Sequence, residues 1–495
     1  MDRMQQAWDI ADPRPQSLIE SLRAFGYSPE SAIADLVDNS ISAGARSIQL
    51  RFEWKGAQST VTVSDDGCGM SEAVLVSAMT LGSMSPTADR DASDLGRFGL
   101  GLKTASFSQA REVTVVSVIR GGHAATRRWD LDTVVESGEW RLLRAGARGV
   151  AVVEPPSTGG TTVVWSKMDR LVGAVDASDI HAHKTFLDMI SRVQGHLEAT
   201  FQRFLSGQDR VRISINGCEI EPWDPFMTKH PATQQLDVEE IPYKGYVITV
   251  RPYVLPHRSK LSDAEIATGQ GTSGWTQQQG FYVFRSDRLL MQGSWLGLGL
   301  TKDEHTKLAR ISVGFPSALD HEWQVDVKKS TARPPALLKD SLRRIARATR
   351  TSAEKIYRHK GRITARRNSQ PFVFAWNERM GRNGAVRYEV NRNHPIIVAA
   401  LDAAGSNRHV FDRAIRLIEE TVPTSLIGLS IAQSIDNQLV PFDEAQKDLR
   451  PLIEQAMGIY TRGGMSRLRA LDTIANIEPF ANYPALLQAL REEES

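Results

Sequence analysis

The stretch Ser28 to Ala43, SPESAIADLVDNSISA, constrains the fold most, because one helical segment must bury an apolar side and still carry three acids and an amide. Ser28 is a natural N-cap, and Pro29 suits the first helical position, where no N–H is needed. Glu30 falls in the first turn, where the helix dipole favours an anion, and Gly44 marks the stop. Projected at about 100° per residue, Ile33, Leu36, Val37, Ser40 and Ile41 share one side. Ser31, Asp35, Asp38, Asn39 and Ser42 share the other, with Asp35 and Asn39 one turn apart. A carboxylate beside a carboxamide can hold a water and a metal-bound phosphate together. A solvated polar face would carry the same residues, so the rest of the chain has to decide.

Upstream, Gln16 to Phe25 reads as a short amphipathic helix ended by Gly26. Downstream, Arg46 to Trp54 alternates, with Ile48, Leu50, Phe52 and Trp54 on one face of a half-buried strand. A second strand, Ser59 to Ser64, runs into Asp65-Asp66-Gly67-Cys68-Gly69-Met70. A carboxylate at a strand end, followed by glycines, lets backbone approach a flat ligand and accepts from an exocyclic amine; a plain Asp-Gly turn reads alike. Ser71 to Met79 is a short helix, and Leu81 to Asp94 a polar loop. That loop ends in Gly96-Arg97-Phe98-Gly99-Leu100-Gly101-Leu102-Lys103, which opens another helix. Free N–H groups and the dipole at a helix N-terminus bind phosphate, and Lys103 adds charge. The pattern is neither a P-loop nor a Rossmann fingerprint, since the upstream strands are consecutive and no βαβ unit surrounds it. Strands are expected over Val113 to Ile119, Thr126 to Leu131, Trp140 to Arg144, Gly149 to Glu154 and Gly159 to Trp165. The result is an α+β chain whose first part is a two-layer sandwich.

These four pieces in one order, D-x-x-x-N, D-x-G-x-G, G-x-x-G-x-G and G-T-x-V, resemble the GHKL ATPase superfamily of gyrase B, heat-shock chaperones, histidine kinases and MutL. AIADLVDNS and GRFGLGLKTAS look most like MORC proteins and their bacterial relatives, then MutL. The resemblance implies the Bergerat ATP-binding fold, with ATP and Mg²⁺ as cofactors. It makes Asp35 the general base and Asn39 the Mg²⁺ ligand. Asp65 would bind the adenine amino group, with Ala43, Gly67, Gly69 and Met70 lining the base pocket and Thr161 behind it. Gly96, Arg97, Phe98, Gly99, Leu100, Gly101 and Lys103 would cradle the phosphates, with Ser83 to Leu95 as lid. The family's usual base is Glu, so Asp35 is one methylene short, which bears on turnover rather than on binding; Asp38 ranks second as base. A histidine kinase is disfavoured, because its first box reads N-x-x-x-N and no helix pair with a phospho-accepting histidine precedes Asp35.

The ATP-binding domain is expected over 1–170. Residues 171–335 resemble the transducer domain of gyrase B and MutL, whose lysine reaches the γ-phosphate; Lys328 or Lys329 is the candidate. In that region His183 to Phe204 reads as helix, Leu261 to Trp275 as loop, Gly280 to Gln292 as a hairpin and Gln324 to Val327 as strand. Residues 336–370 are a basic amphipathic helix and linker: Asp340 to Arg367 holds ten Lys/Arg against two Asp/Glu. Arg343, Arg344, Arg347, Arg350, Arg358, Lys360, Arg362, Arg366 and Arg367 are its candidates for nucleic-acid phosphates, or else a solvated face. Tyr388 to Ile397 reads as a strand within a mainly helical region, 371–495.

Two cysteines, Cys68 and Cys218, cannot build a disulfide framework or a four-cysteine zinc site. No apolar run approaches a membrane span and the N-terminus lacks a signal-peptide pattern, so the chain reads as cytoplasmic, with no membrane partner. The expectation is a slow Mg²⁺-dependent ATPase that closes on ATP, forms a homodimer and acts on or near DNA, with other protein partners and a bacterial restriction or defence setting by analogy. The alternative is a nucleotide-gated binding module with negligible turnover.

Overall fold

Ser28 caps the organising helix as its sequence dictates, its hydroxyl accepting from the Ser31 N–H. The computed structural model describes residues 14–24, 26–82, 101–146, 153, 155, 156, 159–326, 329, 331–358, 373–380, 386–424, 427 and 446–493. The chain divides into two compact units, residues 1–354 and 355–495.

Helices α1 (Pro15–Arg23) and α2 (Pro29–Ser42) are followed by strands β1 (Ser47–Glu53) and β2 (Thr60–Asp65). Next come α3 (Glu72–Met79), α4 (Gly101–Gln109), β3 (Glu112–Val118), β4 (Ala125–Asp130), α5 (Leu131–Ser137), β5 (Leu143–Arg144), β6 (Gly160–Ser166) and α6 (Ile180–Thr200). With β7 (Arg212–Ile215) and β8 (Cys218–Glu219) the strands form an eight-stranded sheet in the order β5-β4-β3-β6-β2-β1-β7-β8. Only β1 and β7 pair in parallel, so this sheet takes in chain well past residue 170.

The alternation of β1 works as expected: Ile48, Leu50 and Phe52 are buried, while Gln49 and Arg51 face solvent. That face packs under α2 and α6, with Ile33, Val37, Phe186 and Val193 in the same core. Each such side chain contributes roughly 1.5–3 kcal/mol by leaving water. This is the expected two-layer sandwich, helices on one face of a mainly antiparallel sheet. The expected strand over Trp140 to Arg144 shrinks to two residues, and Gly149 to Glu154 lies almost wholly outside the described residues.

The rest of the first unit is a second sheet. Strands β9 (Gln234–Gln235), β10 (Glu239–Tyr243) and β11 (Tyr246–Val254) precede α7 (Asp263–Gln270). Then follow β12 (Gly280–Arg285), β13 (Arg288–Ser294), β14 (Ala309–Phe315) and α8 (Ala336–Arg358). The sheet order is β10-β11-β14-β12-β13, with β9 beside β11. α7 corrects the expected loop: Ser262 and Glu265 form a capping box that starts a helix despite its polar composition. Gln324 to Asp326 is turn and irregular chain rather than strand, with Gln324 at φ +47°. On α8, Leu338, Leu342, Ile345, Ala346 and Ala353 make the buried stripe that its periodicity required.

The second unit pairs Trp376–Met380 with Val386–Val390 as a hairpin, ahead of helices over Pro395–Ala403, Arg408–Glu420, Gln446–Arg462, Arg467–Ile474 and Pro484–Glu493. The expected strand over 388–397 stops at Val390, because Pro395 occupies the first turn of a helix. Among the described residues, no helix is long and apolar enough to cross a membrane.

Candidate nucleotide site

α2 is buried nearly all round, and its acids are the reason the site exists. Asp35 is 2% exposed and Asp38 0% exposed, whereas Asn39 reaches solvent. The polar side of this helix is therefore covered at its two aspartates, while Asn39 and Ser42 stay exposed. Two cations from the second half of the unit cover it. Arg288 Nε donates to both carboxylate oxygens of Asp38 at 2.8 Å. Lys329 Nζ donates to Asp38 Oδ2 at 2.5 Å and to Asp35 Oδ1 at 3.1 Å. Two carboxylates thus meet two cations in a buried, charge-balanced cluster. Burial pushes the Asp38 carboxyl up, but Arg288 and Lys329 outweigh it and hold the group below the usual carboxylate range.

Local chain geometry aims both cations. β12 and β13 are joined by Ser286-Asp287, both at positive φ (43° and 67°), the two-residue hairpin turn that suits strand twist. Arg288 follows at the first position of β13. Lys329 also sits at positive φ (52°), in a turn where its N–H donates to the Asp326 carbonyl at 3.0 Å. Arg288 Nη1 donates to the Lys329 carbonyl at 3.4 Å, so the same guanidinium touches Asp38 and the lysine's main chain.

Asp35 has a third partner. The Tyr27 hydroxyl donates to Asp35 Oδ2 at 3.0 Å. Burial, then the Asp35 charge, push the Tyr27 phenol far above its ordinary range, so it stays a donor. α4 comes up against the same carboxylate: a Cβ on Gly101 would stand 3.6 Å from Asp35 Oδ2. The N-terminal turn of α4, where N–H groups lack helical partners, therefore lies next to the acid.

The other end of the site is built around Asp65. Its Oδ2 accepts from Ser40 Oγ at 2.9 Å, and its Oδ1 from the N–H groups of Gly67 at 3.0 Å and Thr161 at 3.2 Å. Burial still raises its pKa, and the neighbouring Asp66 charge adds to the rise. Thr161 and Ser117 hydroxyls meet at 2.8 Å, and Ser117 Oγ accepts from the Met70 N–H at 2.8 Å. Gly69, at φ +70°, lies so close to β3 that a Cβ would fall 1.9 Å from the Val118 carbonyl oxygen. A Cβ on Gly67 would fall 2.9 Å from that of Ala43.

This donor set fits a Mg²⁺-bound nucleotide. Asp65 offers an anionic acceptor beside glycines that keep the backbone close, and Asn39 offers an exposed amide one turn from Asp35. No group of three or more His, Cys, Asp or Glu that could hold a metal exists among the described residues. A hard cation here would take most of its oxygens from phosphate and water, the habit of Mg²⁺.

Other expected residues fall elsewhere. Lys103 is buried, with its ammonium on the carbonyls of Ala78 and Thr80, both at 2.9 Å. It satisfies the C-terminal carbonyls of α3, which lack helical partners. Burial pulls its pKa down to about 8. Ser83, Gly96, Arg97, Phe98, Gly99, Leu100 and Lys328 lie outside the described residues. On α8, Arg344 pairs with Glu239 through two bonds at 2.9 and 2.6 Å. Arg343 bonds Asp340 and the Leu298 carbonyl, and Arg350 stacks 5.3 Å from the Trp295 ring. Arg347 is exposed; Lys360, Arg362, Arg366 and Arg367, with the Arg358 side chain, lie outside the described residues.

Tyr27, Ser40, Ser117 and Arg288 escaped the sequence reading. Only Ser40 carried a signal, as the one hydroxyl on the apolar side of α2. A cavity of ≈ 1080 Å³ is lined by Arg192, His196, Trp223, Met291, Arg288 and Lys329 among others, but by neither Asp65 nor Gly69. It borders the charged cluster.

The family model described as histidine kinase-, DNA gyrase B-, and HSP90-like ATPase matches residues 27–158. A DNA mismatch repair protein MutL of Rhizorhabdus wittichii is 33% identical over 127 residues, 25% of this chain and 21% of that protein. The MutL of Pelotomaculum thermopropionicum is 39% identical over 103 residues, 20% of this chain and 16% of its own length. ATPase morc-1 of Caenorhabditis elegans is 35% identical over 89 residues, 18% of this chain and 10% of its own length. The chain thus spans about a fifth or less of the length of these relatives.

Proposed function

From a domain of the histidine kinase-, DNA gyrase B-, and HSP90-like ATPase family over residues 27–158, we propose that this chain binds ATP with Mg²⁺ and hydrolyses it slowly to drive a conformational cycle. Adenine sits against Asp65, Gly67, Gly69 and Thr161. The phosphates run along α2 towards the start of α4, with Asn39 on the metal. Asp35 takes the proton of the attacking water, and Lys329 meets the γ-phosphate. Catalysis is then mostly positioning and charge stabilisation. The observation that carries this reading is the meeting of Asp35 and Lys329, 294 positions apart, at 3.1 Å.

Closure on ATP brings two copies together, and the dimer works on or near DNA in the cytoplasm. The names of the MutL relatives support the DNA part, together with the basic stretch around Arg347. A bacterial restriction or defence setting is part of the same proposal.

A second reading has its own support. Asp35 is short for a base and is already engaged by Lys329 and Tyr27. A module that binds ATP as a switch, with negligible turnover, would look the same. Steady-state phosphate release separates the two: the ATPase reading expects wild type to exceed Asp35→Asn clearly, and equal background rates leave only the switch.

A further inference from the structure

We propose that Arg288 is a positioning residue that makes Lys329 exchangeable: it keeps Asp38 neutralised while the lysine leaves the two carboxylates for the γ-phosphate. This rests on the nucleotide reading above and adds to it a residue that the family motifs do not contain.

The geometry points to an exchange rather than a fixed bridge. Among the described residues, the partners of the Lys329 ammonium are carboxylate oxygens, Asp35 at 3.1 Å and Asp38 at 2.5 Å. For the lysine to reach a phosphate it must give up both. Asp35 keeps a partner, because the Tyr27 hydroxyl still donates to it. Asp38 is different. It is fully buried, and a buried carboxylate without a partner is strongly unfavourable. Arg288 removes that obstacle, since its own Nε reaches both Asp38 oxygens at 2.8 Å beside the lysine. The guanidinium cannot lose its charge, so this neutralisation is permanent. Its second contact, to the Lys329 carbonyl at 3.4 Å, holds the lysine's main chain within reach while the side chain swings. No covalent step is involved.

Without Arg288, Asp38 would have Lys329 as its one cation and would trap it. The site would then lose its preference for a nucleotide that carries a γ-phosphate while keeping its affinity for ADP.

Calorimetric titration of the full chain with Mg²⁺ and either ADP or a non-hydrolysable ATP analogue tests this. Wild type should bind the analogue about tenfold or more tightly than ADP, the scale of one exchanged ion pair. Arg288→Gln should bind ADP as wild type does and lose most of that preference. Arg288→Gln with Asp38→Asn, which removes the trap, should recover it. Should the single variant fail to fold, the neutral pair in the double variant still decides: retained preference supports the exchange and lost preference contradicts it. The proposal is overturned by a wild type that binds ADP and analogue equally, by an Arg288→Gln that keeps the preference, or by a folded double variant that lacks it. A wild type that binds neither nucleotide instead overturns the nucleotide reading, and this inference with it.

Discussion

At the scale of single residues, the site depends on groups with no freedom to be something else. Asp35→Asn should keep nucleotide binding and lower phosphate release by about 10²–10⁴-fold, the range for a positioned base; a coupled phosphate assay reads this directly. Gly69 is a second such point. Gly69→Ala meets both the left-handed backbone and the Val118 carbonyl, so it should cost at least about 1–3 kcal/mol in denaturant unfolding. Gly44→Ala, also at positive φ (75°) but with open space around it, should cost only the backbone penalty of about 1–2 kcal/mol. His196 gives a pH signature. Burial, then Arg288, push its imidazole down to about 4. Below its ordinary pKa of about 6.5 the unfolded chain takes up a proton that the folded one refuses, so stability should fall from about pH 6.5 to about pH 4. Urea midpoints across that window should show the slope in wild type and a flatter profile in His196→Gln.

Among elements, regular pattern was legible and long-range partnership was not. The alternation of Ile48, Leu50 and Phe52 and the capped start of α2 were enough to place β1 and α2, because burial on one face demands that spacing. α7 was missed because its polar face and glycine hide a helix whose start is set by Ser262 and Glu265. The candidate site was partly legible. Asp35, Asn39, Asp65 and the glycines stand in compact local motifs, and Lys329 was named with Lys328 only through the resemblance to a transducer domain, whereas Arg288 reaches α2 across 250 positions, beyond any local pattern. Lys103 follows glycines, which suggests phosphate, and in the structure its ammonium rests on the open carbonyls ending α3. Lys103→Met should therefore lower stability by about 1–3 kcal/mol, the range for buried groups left without a partner. ADP affinity should hold in the same variant, measured by thermal unfolding beside calorimetry; lost affinity with unchanged stability would return the lysine to the phosphates.

For the molecule as a whole, α2 of the first layer pair meets β13 and the Lys329 turn of the second sheet in one buried charge cluster, and that is how a nucleotide at α2 could be felt by the second sheet. Sedimentation of the full chain should shift from a smaller to a larger species when the Mg²⁺ analogue is added, and not with ADP; an unchanged profile removes dimerisation from the account. Binding to duplex DNA should weaken steeply with salt, since Lys and Arg contacts release counterions. The Arg344–Glu239 pair lies within α8's own unit, so Arg344→Ala should leave that slope nearly unchanged, whereas Arg347→Ala should reduce it. Most directly of all, the grip on a magnesium triphosphate is tested by titrating full-length, folded protein with Mg²⁺ and the ATP analogue in a calorimeter. A saturable heat that disappears in Asp65→Asn is the predicted result; a flat trace for wild type at millimolar nucleotide would contradict it.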